Sequence, residues 1–319
     1  MAQSGARRKR RYNAGMLSRK PFEAPAALLR RAAELPPLAM AVVNAVSATA
    51  LQSARMALEH ELITPLLVGE AALMRRLAGE INWPLDNIQL VHADGEADAV
   101  RKTVDLVRGG AARGIMKGHV HTDVFMSGLV RKESGLRGGG WFTHVFHLTV
   151  PGSERALLLT DAAVNIAPDV TVRFAAMQNA VELALKLGVA RPKVAVLSAT
   201  EEVNPRMPSS TEAAQLAELA AQKIPQAQVC GPLAFDGIVS PEAARAKNIT
   251  HPVAGHADII VVPGIETGNA LYKMMVYFMS ACAAGVVLGA KAPIVLTSRA
   301  DPPAARLASA ALAAVAAAD

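Results

Sequence analysis

The sequence predicts an α/β protein of two domains with mainly parallel sheets. Three observations lead there. The chain is 319 residues long, and a single hydrophobic core stops growing near roughly 250–300 residues. Hydrophobic residues make up 52% and charged residues 19%, so most of the chain can be buried and disorder as the overall state is excluded. From Leu28 onward, short apolar runs alternate with amphipathic segments, the pattern of parallel strands covered by helices.

Residues 1–25 read as a basic flexible tail, with Gly15, Pro21 and Pro25 and no sustained periodicity. Strand-like runs follow at Ala39–Val46, Pro65–Val68, Ile88–Val91 and Gly114–Met116, with helix candidates Ala50–Glu61, Glu70–Ala78 and Glu96–Arg108 between them. The middle of the chain differs. Phe146–Val150 and Ala156–Thr160 read as strands joined by Pro151-Gly152-Ser153-Glu154, a hairpin signal. Next come a long helix, Val172–Leu187, a strand, Lys193–Ser198, a helix from near Ser210 and a strand before Gly231. Asp258–Val262 and Pro293–Thr297 read as buried strands, and an alanine-rich helix, Ala304–Ala318, closes the chain.

The formal net charge is +6. Residues 1–20 hold seven basic groups and no acid, which leaves 26 basic against 27 acidic groups elsewhere. The excess belongs to the tail. Only Tyr12 and Phe22 interleave it with aromatic rings, so nucleic acid is not the expected partner. Two cysteines, Cys230 and Cys282, form neither a disulfide framework nor a zinc site, and a reduced, cytoplasmic setting is expected. The apolar stretch Met274–Ala290 is bracketed by Lys273 and Lys291. It reads as a buried helix running into a strand and not as a membrane span.

Ligands of open α/β sheets bind beyond the carboxyl ends of the strands, so the residues after each strand carry the functional information. Lys117-Gly118-His119-Val120-His121-Thr122-Asp123 follows a strand and opens a helix, with Thr122 or Asp123 as cap and main-chain N–H groups facing a phosphate. His119 and His121 have strand spacing and no third close ligand, so no metal site is assigned. Ser298-Arg299-Ala300-Asp301 follows another strand. The arginine fork can hold phosphate oxygens; the competing reading is a cap for a helix opened by Pro302-Pro303. The loop Asp161–Asp169 offers carboxylates and Asn165, or simply local turn bonding. Gly268-Asn269 reads as a helix start with Asn269 as cap. Arg137 precedes Gly138-Gly139-Gly140, either a ligand-covering loop or an ordinary surface loop. No GxGxxG, Walker A, nucleophile elbow or HExxH is present, and catalysis through those devices is not expected.

Six blocks stand in order: MKGHVHTD (116–123), TDAAVNIAPD (160–169), PKVAVLSATEEVN (192–204), GPLAFD (231–236), VAGHADIIVVPGIETGN (253–269) and VVLGAKAPIVLTSRAD (286–301). Over roughly residues 28–315 the chain resembles the phosphate acetyl/butyryltransferase family, in its short form and butyryltransferase-like branch. The resemblance implies two α/β domains with an interdomain cleft, similar to the isocitrate/isopropylmalate dehydrogenase-like fold. The domains would be 26–138 plus 286–319 and 139–285. It implies a phosphate acyltransferase that moves acetyl or butyryl between coenzyme A and inorganic phosphate by direct thiolate attack in a ternary complex. Coenzyme A is then a substrate, no cofactor is permanently bound, and a homodimer is expected.

Residue by residue, Ser298 and Arg299 match the family's pair that holds phosphate and polarises the acyl carbonyl. Acetyl-specific members carry a catalytic Asp seven residues after that Ser, where this chain has Ala305; Asp301 is nominated as base instead. Those members also carry an Arg where this chain has Met126, and Arg137 is nominated to replace its charge. Both departures fit the butyryl-type branch. Lys117, His121, Thr122, Asp123, Arg137, Asp161, Asn165, Asp236, Gly268 and Asn269 are the substrate-binding candidates. Two alternatives are a metal- or NAD-dependent enzyme on the related dehydrogenase fold and a catalytically degenerate family member.

Overall fold

A computed structural model of the chain describes residues 18, 20–138, 140–153, 155–296 and 301–318. The chain divides into two compact units: a terminal unit of Ala24–Phe142 and Ala284–Asp319, and a middle unit of Thr143–Ala283 with the residues before Ala24. In chain order the strands are β1 (Leu38–Val43), β2 (Ile63–Gly69), β3 (Gln89–His92), β4 (Gly114–Lys117), β5 (Thr143–Thr149), β6 (Ala156–Thr160), β7 (Lys193–Leu197), β8 (Gln228–Leu233), β9 (Ile259–Val261), β10 (Cys282–Leu288) and β11 (Ile294–Val295).

In the terminal unit the strand order is β3-β2-β1-β4-β11-β10. The first five are parallel, and β10 runs antiparallel to β11 through Val287 opposite Ile294. Met40 to Val43 are wholly buried, which is why β1 reads as an unbroken apolar run instead of an alternating one. The helix Pro303–Ala316 is buried from Ala305 to Val315 and packs on the helices Ala26–Ala33 and Ala48–Glu59. Alanines let it approach closely. Its Ser309 hydroxyl accepts the Gly285 N–H at 3.0 Å and donates to the Ala305 carbonyl at 2.8 Å.

In the middle unit the order is β5-β6-β9-β7-β8, with β5 antiparallel to β6 and the others parallel. The helix Val170–Lys186 starts at Asp169, whose side chain accepts the Val172 N–H at 2.9 Å, a cap that satisfies one orphan donor. One turn on, Arg173 is buried and paired with Glu212 at 2.8 Å.

The apolar run from Met274 does belong to a helix, Ile265–Met279, followed by β10, but that helix is not buried: Met274, Tyr277, Phe278 and Met279 are 58%, 49%, 55% and 46% exposed. Apolar composition by itself does not bury a helix face, and among the described residues Gly268 alone of this helix is buried. Of the strand expected over Pro293–Thr297, Ile294–Val295 is strand among the described residues, and Thr297 lies outside them. Residues Arg7–Arg11 of the tail lie outside the described residues.

Candidate functional site

The carboxyl edge of the terminal unit is built on two latched loops. Asn44, after β1, is buried with φ 51°, a conformation that asparagine tolerates better than most residues. Its Nδ2 donates to the His119 carbonyl at 2.6 Å, and the His119 N–H donates to the Asn44 carbonyl at 2.9 Å. Between them Gly118 runs so close to β1 that a Cβ there would lie 2.3 Å from the Val43 carbonyl oxygen. The Lys117-Gly118-His119 turn therefore needs glycine for approach, not for flexibility.

Beyond it the chain enters the helix Thr122–Val130. The cap residue is His121, not Thr122 or Asp123, which are exposed first-turn residues. Glu96, in the first turn of the helix Gly95–Arg108, completes the cap. Its carboxylate accepts the His121 main-chain N–H at 3.0 Å and lies 2.8 and 2.9 Å from His121 Nδ1 through its two oxygens. Burial pushes the Glu96 carboxyl up, but these bonds and the nearby His121 and His119 rings outweigh it and hold the group below the usual carboxylate range. The His121 side chain is 72% exposed.

β11 lies beside β4 and parallel to it, with Val295 opposite Met116. The chain thus leaves β11 at the edge where it leaves β4. Thr297, Ser298, Arg299 and Ala300 follow, and these lie outside the described residues. Asp301 is half-buried, and its main-chain carbonyl accepts Arg306 Nη1 at 2.7 Å. Pro302 then caps Pro303–Ala316, whose Ala305 is buried. Arg137 is elsewhere. It bridges Ala290, in the turn between β10 and β11, and its Nε donates to the Val130 carbonyl at 3.1 Å. That is the amino end of β11, so Arg137 is not gathered with Lys117 and His121.

The middle unit has its own carboxyl edge. Asp161, after β6, is buried, and its carboxylate accepts the N–H groups of Ala163, Val164 and Asn165 at 3.0, 3.0 and 3.3 Å and Asn165 Nδ2 at 2.7 Å. The Asp161 carboxylate is thereby spent on shaping its loop, which is the local-turn alternative. His144 on β5 is buried. Burial drives its pKa down to about 4 against the pull of the Asp161 charge. Gly268 is a packing residue: a Cβ there would meet the Ala162 Cβ at 2.7 Å. The helix begins at Ile265 after Gly264, so Asn269 lies inside it, half-buried, and does not cap it. Asp236 and Glu201, which follow β8 and β7, both hold Lys247 Nζ at 2.7 Å. The hydrogen bond from Lys247 pulls the Asp236 carboxyl below its ordinary range.

Sequence reading missed Asn44 and Glu96. Asp94-Gly95-Glu96 at a helix start was the visible signal for Glu96, but its partner is 25 residues away. Among the described residues no group of three His, Cys, Asp or Glu side chains could hold a metal ion, and no helix is long and apolar enough to cross a membrane.

A family model described as phosphate acetyl/butaryl transferase matches residues 96–314. The chain is 44% identical over 280 residues to a phosphate acetyltransferase of Rhizobium meliloti, covering 88% of this chain and 89% of the relative. It is 37% identical over 277 residues to a phosphate butyryltransferase of Clostridium acetobutylicum, covering 86% and 92%. Its fold is similar to that of a branched-chain phosphotransacylase from Enterococcus faecalis, with TM-score 0.78, 32% identity and 88% and 99% of the two chains covered. A 4-hydroxythreonine-4-phosphate dehydrogenase from Salmonella typhimurium shares the fold alone, at TM-score 0.56 and 12% identity over 88% of this chain and 100% of that one.

Proposed function

The chain belongs to the phosphate acetyl/butyryl transferase family and is a phosphate acyltransferase, and from that premise we propose that it moves acetyl or butyryl between coenzyme A and inorganic phosphate by direct attack of the thiolate on the acyl phosphate. The family match over residues 96–314 carries the reading. No permanently bound cofactor enters it, and coenzyme A is a substrate. In this reading the thiol loses its proton to a base. Sulfur bonds to the acyl carbon, and phosphate leaves with the electron pair of the broken C–O bond. The sulfur proton ends on phosphate or water.

Arg299 and Ser298 are the groups we assign to the phosphate and the acyl carbonyl. A forked guanidinium neutralises charge that builds on the departing oxygens. Lys117, at the end of β4, and the main-chain N–H groups at the start of Thr122–Val130 supply further positive potential at the carboxyl end of β4. Asp301, half-buried just before the helix Pro303–Ala316, is the carboxylate we assign as base.

A homodimer is part of the proposal. Its support is the exposed apolar end of Ile265–Met279, where Met274, Tyr277, Phe278 and Met279 present more apolar surface than scattered single residues do. A cytoplasmic setting fits a chain whose Cys230 and Cys282 are not joined in a disulfide.

The test is release or consumption of free thiol with acetyl phosphate or butyryl phosphate plus coenzyme A. Turnover with at least one is expected, and Arg299→Ala is expected to lower kcat at least about a hundredfold. No thiol consumption with either acyl phosphate would refute the proposal.

A further inference from the structure

We infer that the terminal unit carries a small-molecule site of its own, a cleft beside β3 that takes an α-amino acid with a large apolar side chain. The inference does not rest on acyl transfer. The cleft has a volume of about 890 Å³ and is lined by the helix Ala71–Glu80, by the connection from that helix to β3, and by Leu90 on β3 itself. That volume lies within the range of small-ligand pockets, roughly 300–1,000 Å³. None of the lining residues belongs to the loops that follow the strands; apart from Leu90 they all precede β3.

The chain holds the cleft in shape by itself. Met74 and Ala78 anchor the helix Ala71–Glu80 in the core. At its end the Trp83 N–H donates to the Ala78 carbonyl at 2.9 Å and the Asn82 N–H to the Gly79 carbonyl at 3.1 Å. Asn82 has φ 53°, the left-handed conformation in which a helix commonly ends. Arg55, on the helix Ala48–Glu59, donates its Nη1 to the Ile81 and Asn82 carbonyls at 3.0 and 3.3 Å. Further on, the Ile88 N–H donates to the Leu85 carbonyl at 3.0 Å. A ligand entering such a preformed site loses little free energy to ordering the protein.

Three polar groups of the lining are left unused by the fold. Arg75 and Asp86 are exposed, and among the described residues neither side chain makes an ion pair or a hydrogen bond, with the other or with anything else. The neighbouring Arg76, by contrast, pairs with Glu80 at 3.5 Å. Trp83 is only 7% exposed, and its indole N–H has no hydrogen-bond partner among the described residues, whereas a buried tryptophan usually finds one. A cation and an anion that line one cleft without neutralising each other suit a ligand that carries both charges. An α-amino acid is such a ligand at neutral pH. Its carboxylate matches the Arg75 fork, and its ammonium matches Asp86. Leu85, Ile88 and Leu90 are half-buried and, with the Trp83 ring, offer an apolar wall for the side chain. A simple anion would meet the Asp86 charge and a simple amine the Arg75 charge, so the lining discriminates against both.

The chain has two tryptophans, Trp83 and Trp141, so Trp141→Phe leaves Trp83 as the sole reporter. Binding is measured by titrating that variant with L-phenylalanine under tryptophan fluorescence, and by calorimetry on the unaltered chain. L-phenylalanine is expected to bind. 3-Phenylpropionate, which lacks the ammonium, and phenethylamine, which lacks the carboxylate, are each expected to bind at least about tenfold more weakly. Arg75→Gln is expected to weaken L-phenylalanine at least about tenfold while phenethylamine binds no more weakly than before. Asp86→Asn is expected to weaken L-phenylalanine to a similar degree while 3-phenylpropionate binds no more weakly. Both residues are exposed and unpaired, so neither change is expected to disturb the fold. No binding of L-phenylalanine or L-leucine at concentrations on the order of 10 mM overturns the inference. Affinity for L-phenylalanine that is unchanged in either variant also overturns it, as does either analogue binding as tightly as L-phenylalanine.

Discussion

His144 and His147 are expected to make the middle unit sensitive to acid. Both sit on β5, both are buried, and the Nδ1 of each is enclosed without a hydrogen-bond partner. Burial lowers each pKa from 6.5 to about 4. Above pH 6.5 both are neutral in the folded and unfolded chain alike, and nothing is lost. As pH falls below 6.5 the unfolded chain binds protons that the folded chain refuses, so stability drops until pH 4 and then levels. One such group costs roughly 2 kcal/mol by pH 5 and roughly 3 kcal/mol by pH 4. Two together cost roughly 4 kcal/mol by pH 5, a large part of a typical stability of about 5–15 kcal/mol. The perturbation is His147→Gln, which cannot titrate. Urea unfolding followed by circular dichroism at pH 7 and pH 5 measures it. Any pH-independent cost of the substitution cancels in the difference. The variant is expected to lose about 2 kcal/mol less between the two pH values than the wild type. Equal losses would mean that His147 binds its proton as readily folded as unfolded, and would refute the burial argument.

Two further outcomes follow from the packing. Arg173 is the buried partner of its ion pair and Glu212 the half-exposed one, and Arg173 Nε and Nη2 have no hydrogen-bond partner. Glu212→Gln strands a buried cation and is expected to cost about 3–5 kcal/mol, whereas Arg173→Met removes that cation and is expected to cost less; thermal unfolding of both variants checks the order. Gly268→Ala would push a methyl to 2.7 Å from the Ala162 Cβ, and overpacking of this kind is expected to cost about 1–3 kcal/mol by denaturant midpoint.

Much of the fold was legible because its signals are local. β1 and β7 are buried on both sides and read as apolar runs, and the β5–β6 hairpin shows its turn as Pro151-Gly152-Ser153-Glu154. The parts that were not legible depend on partners distant in the chain. Nothing near Asp161 says whether its carboxylate faces a substrate or its own loop; the answer is three N–H groups and an amide that close on it. Nothing near His121 names Glu96. Met274 to Met279 looked buried by composition, yet Met274, Tyr277, Phe278 and Met279 are exposed. Arg137 follows the Thr122–Val130 helix closely in sequence, but the chain turns back before reaching it and delivers it to the amino end of β11.

In the proposed direct transfer between coenzyme A and phosphate, no acyl group ever rests on the protein. Exchange of radiolabelled inorganic phosphate into acetyl phosphate or butyryl phosphate tests it most directly. Direct transfer requires label to enter the acyl phosphate when coenzyme A is present and not when it is omitted. Label entering without coenzyme A would reveal an acyl-enzyme and contradict the claim, and so would no exchange with coenzyme A present.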